Sequence, residues 1–309
     1  MSNQSKIRKH QFGAYTIEGA IAQSGGMSTI YRAYVTAHPD RKVALKLPNV
    51  GGEYVDIVHT EASFLRRMHH PGIVQIYPIL GFDKPTYVAR TNHSTKGRWY
   101  YVMEHISGGN LEQQLTKLNR FSIEWKFELF YQITCILHYM HMAGYAHCDL
   151  KPSNIMFRRP IKASECPEPV LIDFGSVSRR DQVQEKIGTP RYTPPEMFRA
   201  MQKKNNPTAH RGIRGDKIDI WQLGIIFYEL ITGDSMFQGT SLEIETTVLN
   251  HVIKRIQDSP IKLANDRLDI FLKSMLHRKP NFRLNAEDII EVIQEVIPEY
   301  RAPRVATLI

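Results

Sequence analysis

Nine consecutive residues, His147-Cys148-Asp149-Leu150-Lys151-Pro152-Ser153-Asn154-Ile155, set an acid, a cation and an amide at fixed offsets. An aspartate can accept the proton of an attacking hydroxyl, a nearby lysine can offset charge on a phosphoryl group in transit, and an asparagine carbonyl can hold Mg²⁺. Phosphoryl transfer asks a protein for such positioning and charge, with little covalent chemistry. An aspartate or asparagine alone in a loop is usually a turn residue, so the weight rests on whether partners follow. They follow in order. Val43-Ala44-Leu45-Lys46 carries a lysine among apolar neighbours, Glu61 adds a carboxylate, and Asp173-Phe174-Gly175 comes after the apolar run Val170-Leu171-Ile172. Gly188-Thr189-Pro190-Arg191-Tyr192-Thr193-Pro194-Pro195-Glu196, Asp219-Ile220-Trp221-Gln222-Leu223-Gly224 and Arg283 complete the set.

The nonapeptide resembles the catalytic loop of the eukaryotic-like (Hanks-type) protein kinases, usually written HRDLKxxN. Asp173-Phe174-Gly175 resembles the magnesium-binding DFG, and the segment ending at Glu196 resembles the substrate-facing GTPxYxxPE. The likeness spans roughly residues 12 to 298 and rests on many ordered motifs, not one pattern. It implies a serine/threonine protein kinase in the bacterial style, with an α+β bilobal fold. An N-terminal extension at 1–11, a strand-rich small lobe at 12–105, a helical large lobe at 106–298 and a tail at 299–309 are expected.

The resemblance also assigns roles, with ATP and Mg²⁺ as the cofactors. Asp149 would take the hydroxyl proton, Lys151 would neutralise the γ-phosphoryl group, and Asn154 with Asp173 would hold Mg²⁺. Lys46 would contact the α and β phosphates while Glu61 holds it. Lys151 together with Thr189 resembles the serine/threonine branch. Ile30 and Ala44 would cover the adenine from above and Met156 from below. Met103 would be the gatekeeper, and the backbones of Glu104 and Ile106 would read the adenine edge. Arg283 is placed to pair with Glu196, and His147 to pack as a structural histidine.

Two departures carry information. The glycine-rich loop runs Ala22, Gln23, Ser24, Gly25, Gly26, Met27 and Ser28, so only Gly25 keeps the family's glycine register. Glycine lets amides approach phosphates closely, and weaker ATP binding is expected here; Gly26-Met27-Ser28 resembles loops of many bacterial kinases. Cys148 replaces the usual arginine, which in the family binds a phosphate on the activation loop. Residues 179–187 contain no Ser, Thr or Tyr, and Glu185 lies about where the phosphorylated residue often lies. Both halves of the usual switch are missing, which predicts activity without loop phosphorylation.

The elements that must position these residues are legible in part. Alternation over 14–34 around Ser24-Gly25-Gly26 predicts a hairpin. Strands are predicted at 42–47 and 99–103, and a helix from Val58 to Met68, stopped by His70-Pro71-Gly72. Ser107-Gly108-Gly109 marks a hinge. Ser122 should cap a helix with apolar positions Ile123, Phe127, Phe130, Ile133, Leu137 and Met140, ending at Gly144. Asp219 to Ile231, apolar on nearly every face, should be a buried helix closed by Gly233. Asn285 and Asp288 should cap a last helix that Pro298 closes.

With 309 residues, 42% hydrophobic and 23% charged, the chain has an ordinary globular composition. Its first residues lack the apolar core of a secretory signal. The apolar stretch from Leu223 to Ile231 is broken by Glu229 and too short to span a bilayer. Three cysteines, Cys135, Cys148 and Cys166, form no CxxC and favour a reducing, cytoplasmic setting. A formal charge of +9 reads as a solvated basic surface, with no nucleic-acid partner expected. Lys203, Lys204, Arg211, Arg214 and Lys217 in the segment 203–217 suggest an acidic docking partner, beside protein substrates with Ser/Thr acceptors. The alternative function is a pseudokinase scaffold or nucleotide-sensing module, favoured by the altered glycine loop and opposed by the intact catalytic set. A small-molecule kinase of the aminoglycoside type is disfavoured by the segment ending at Glu196.

Overall fold

Period-two alternation governs the first third of the protein, seen in a computed structural model that describes residues 11–24, 28–49, 53–91, 97–181, 189–203, 206, 208–251, 254 and 266–296. Gly25, Gly26, Met27, Glu185, Lys204 and Pro298 lie outside the described residues. Strands β1 (Gln11–Phe12), β2 (Tyr15–Ser24), β3 (Ser28–Val35), β4 (His38–Pro48), β5 (Ile76–Tyr77), β6 (Ala89–Arg90) and β7 (Trp99–Glu104) make one antiparallel sheet. Val43, Leu45 and Leu47 of β4 bury against Tyr15, Ala33, Val35, Tyr100 and Val102. Ala44 and Lys46 must then project from the opposite face. Their cross-strand partners Met103, Tyr101 and Ile30 share that face.

Helix α1 (Glu53–Leu65) packs against β4 and β7. It begins ahead of the expected Val58 and stops short of Met68. Its last turn tightens, with the Arg67 and Met68 amides donating to the Phe64 and Leu65 carbonyls at 2.9 and 3.3 Å. Residues up to 69, with 73–106, form one compact unit; 70–72 and the chain from 107 onward form a second.

The second unit is helical, as expected of the C-terminal part. Among the described residues its α-helices are α2 (Leu111–Leu118), α3 (Ile123–Met142), α4 (Pro195–Gln202), α5 (Gly215–Thr232), α6 (Ser241–Thr246), α7 (Asp266–Met275) and α8 (Ala286–Val296). Two strand pairs accompany them: β8 (Tyr145–Ala146) with β11 (Ser178–Arg179), and β9 (Ile155–Phe157) with β10 (Pro169–Leu171). The Ser122 hydroxyl accepts the Trp125 N–H at 3.2 Å and caps α3 as predicted. Ile123 departs from the apolar stripe: at the first helical position it is 43% exposed. Phe130, Phe227 and Phe271 interlock with centroids 4.8 to 6.1 Å apart, joining α3, α5 and α7. Helix α5 is buried almost throughout and ends at Gly233 in the left-handed region, φ 78°. It starts at Gly215, ahead of the expected Asp219. Asn285 and Asp288 exchange capping bonds of 2.8 and 3.0 Å ahead of α8. Gly108 is required by space, since a Cβ there would fall 2.3 Å from the Phe157 and Arg159 carbonyl oxygens.

One expectation is corrected by the same packing. Lys217 does not belong to a solvent-facing basic surface: it is buried, and its ammonium donates to the Arg283 and Leu284 carbonyls at 2.7 and 3.2 Å. A buried cation needs such acceptors. Among the described residues, no helix is long and apolar enough to cross a membrane.

Candidate active site

The loop between β8 and β9 is held by its backbone. Cys148 adopts a left-handed conformation, φ 63°, rare for a residue with a side chain. The Asp219 carboxylate on α5 fixes it by accepting the His147 and Cys148 N–H groups at 2.9 and 2.7 Å. Asp219 also meets His141 Nε2 at 2.8 Å, so this fully buried carboxylate is satisfied on every side. Gln222, one turn along α5, accepts the Leu150 N–H at 2.8 Å. His147 is buried, with Nε2 3.2 Å from the Ile172 carbonyl and its ring 4.9 Å from Phe174. That is the packed role expected of it.

Four of the sequence-assigned residues then converge. Lys151 Nζ lies 2.8 Å from Asp149 Oδ2 and donates to Thr189 Oγ1 at 3.0 Å. The Thr189 N–H reaches Asp149 Oδ1 at 3.4 Å. Asn154 Nδ2 donates to the Asp149 carbonyl at 2.8 Å, which leaves its amide oxygen to serve as a ligand. Asp173 follows in a left-handed conformation, φ 61°; strain of this kind persists only where the surroundings enforce it, and it clusters at functional sites. Beside Lys151 and Thr189 a cavity of about 340 Å³ opens, lined also by Glu112, Arg191, Tyr192 and Ile244.

The remaining assigned residues lie in the strand-rich unit, except Met156, which sits on β9. Lys46 is buried on β4 and makes two bonds of 2.7 Å to the Glu61 carboxylate on α1. Ala44 and Met103 are opposite one another in register and both buried; Ile30 is opposite Lys46. Ile106 is buried, and the Glu104 N–H is spent on the Gln75 carbonyl at 2.9 Å. Of the Glu104 backbone, only the carbonyl could therefore read an adenine edge. In β2 and β3, Ala22, Gln23 and Ser24 pair with Ile30, Thr29 and Ser28, and Ser28 is buried.

A family model described as a protein kinase domain matches residues 17–292. This chain belongs to the protein kinase domain family. Among curated proteins it is 27% identical to CBL-interacting serine/threonine-protein kinase 19 of Arabidopsis thaliana over 302 residues, 94% of this chain and 54% of that protein. It is 30% identical to serine/threonine-protein kinase dkf-1 of Caenorhabditis briggsae over 240 residues, 74% of this chain and 28% of that protein. The chain thus spans about half, or less, of the length of these relatives.

Two further features of this kinase domain were not legible beforehand. The Cys148 residue is only half-buried, but its thiol is enclosed; burial first, and the Asp219 carboxylate second, push the thiol well above its usual range. That shift favours the protonated thiol, and its enclosure makes it a space-filling side chain. The second feature is a buried pair, Tyr192 Oη donating to Glu229 Oε2 at 2.9 Å. Burial raises Glu229 from 4.5 to about 7. Between those values the folded chain keeps a proton that the unfolded chain has released, so stability falls as pH rises through that window. The loss attributable to Glu229 is about 3 kcal/mol. In denaturant melts at pH 5 and pH 7.5, Glu229→Gln should flatten this decline relative to the parent; an identical decline in both proteins would contradict the assignment.

Proposed function

We propose that this kinase domain is an ATP- and Mg²⁺-dependent serine/threonine protein kinase that is active without phosphorylation of its activation loop. The observation carrying it is the convergence of Lys151, Asn154 and Thr189 on Asp149. The relatives' names support the residue class, since both are serine/threonine kinases.

In this reading the Asp149 carboxylate orients the acceptor hydroxyl and takes its proton. Lys151, tied to both Asp149 and Thr189, brings positive charge to the phosphoryl group being transferred. Lys46, kept extended by Glu61, holds the α and β phosphates. Asn154 and Asp173 offer hard oxygen donors, the kind Mg²⁺ takes in ones and twos alongside substrate phosphates. When bound, Mg²⁺ would draw negative charge from those phosphate oxygens. The cavity beside Thr189 would seat a side chain flanking the acceptor residue. A cytoplasmic setting belongs to the same reading, resting on three free thiols.

Independence from loop phosphorylation draws support from the hydroxyls near the loop. Ser178 and Thr193 are buried, and Thr189 Oγ1 is engaged by Lys151. The test uses protein co-expressed with a phosphatase and shown by mass spectrometry to be unmodified. With γ-labelled ATP, Mg²⁺ and a generic basic protein as acceptor, label should enter Ser or Thr at a linear rate from the first time point. No incorporation would overturn the activity. A lag abolished by preincubation with ATP, tracking phosphorylation of Ser176, Ser178, Thr189 or Thr193, would overturn the independence.

A further inference from the structure

One charged cluster lies outside the site described above, where β11 leaves the Asp173-Phe174-Gly175 segment. Asp216, at the start of α5, has a side chain only 4% exposed. Its Oδ2 meets Arg180 Nε at 3.1 Å and also takes Arg214 Nη2, while its Oδ1 accepts Arg214 Nε at 3.0 Å. The backbone reinforces this junction. Arg180 N–H donates to the Gly144 carbonyl and Gly215 N–H donates to the Arg180 carbonyl, each at 2.9 Å. Gly215 approaches β8 so closely that a Cβ on it would lie 2.7 Å from Ala146 Cβ and 3.1 Å from Cys148 Sγ. An exposed ion pair contributes little. A carboxylate buried this deeply is different: it is desolvated, and Arg180 and Arg214 together offset that cost, so losing Arg180 leaves Arg214 to carry it alone.

We propose that Asp216 is a positioning residue for phosphoryl transfer: its buried carboxylate grips Arg180 and fixes the segment that runs on from Asp173. This rests on the kinase reading above and deepens its claim of permanent activity. A loop phosphate gripped by an arginine at position 148 would put the acid on the mobile partner and the base on the scaffold. Here the polarity is reversed. The base, Arg180, travels with the segment, and the acid, Asp216, belongs to the buried helix. Neither charge depends on modification, so the tether is always set.

The bland alternative is that Asp216 merely caps α5, since its Oδ1 also accepts the Lys217 N–H at 3.0 Å. A cap would be indifferent to Arg180. The experiment is a double-mutant cycle on unmodified protein with Arg180→Gln, Asp216→Asn and both together, plus Asp216→Glu. Each single variant should lower kcat by about tenfold, in the range of coupling between contacting charged groups, with KM for ATP unchanged. The double variant should be no worse than either single, and Asp216→Glu should recover most of the rate. Multiplicative losses, or an Arg180→Gln variant with full kcat, would overturn the proposal. Should the parent protein transfer no phosphate, the kinase reading fails, and the tether is judged by amide exchange at residues 178–180. Faster exchange in Arg180→Gln, whose side chain is half-exposed, would uphold it; unchanged exchange would refute it.

Discussion

Replacing Asp149 by asparagine should lower kcat roughly 10²- to 10⁴-fold, the range that a positioned general base contributes, and leave KM for ATP within a few-fold of the parent. Asparagine keeps the shape of the side chain but has one acceptor oxygen, so it can keep only one of the two donors, the Thr189 N–H on Oδ1 and Lys151 on Oδ2, that now meet the carboxylate at 3.4 and 2.8 Å. What it loses is the negative charge and the capacity to take a proton. An interaction that matters only in the transition state lowers kcat and kcat/KM together. Steady-state rates over a series of ATP and acceptor concentrations separate these parameters, and an unchanged melting temperature would show that the loop survives. Full turnover in Asp149→Asn would remove the base from the mechanism.

Arg283→Ala should be the most costly single change to stability outside the catalytic loop, at about 3–5 kcal/mol, the cost of breaking a buried ion pair by removing one member. The Arg283 side chain is 0% exposed and grips Glu196 with two bonds, 2.6 and 2.7 Å. It also donates to the His277 and Lys217 carbonyls at 2.8 and 2.7 Å, and its guanidinium lies 4.9 Å from the Trp221 ring centroid. Alanine would strand the Glu196 carboxylate and two carbonyls together. Urea unfolding followed by Trp fluorescence measures the loss; less than about 1 kcal/mol would show the pair to be incidental. Replacing both partners by methionine should recover much of the stability, because the stranded charge is then gone.

The sequence told most where chemistry fixes both residue type and spacing. Asp149, Lys151, Asn154 and Thr189 were assigned from the family resemblance that their residue types and order carry, and the fold brings them within bonding distance. Lys46 and Glu61 were likewise named before their contact was visible. Helix α1 was harder, because its start at Glu53 carries no strong cap signal and its end is set by a tightened turn. What stayed hidden was support. Asp219, Gln222 and Glu229 sit in the most apolar helix of the chain, where a buried polar group obliges a partner. The sequence shows that obligation but not which backbone amide or side chain will meet it. Lys217 misled for a related reason: a lysine just after Arg214, Gly215 and Asp216 reads as surface until the carbonyls that receive it are seen.

The grip of Asp219 on the loop has a consequence for how this protein could have changed over time. The carboxylate holds the loop through the amides of residues 147 and 148 and not through the side chain that hangs from the second. Every amino acid except proline presents that same N–H. Position 148 can therefore exchange one side chain for another, provided the newcomer tolerates φ 63° and the enclosed space around it, while the aspartate next to it stays in place. A phosphate-gripping side chain at 148 could thus be present or absent without loosening the backbone bonds that carry Asp149.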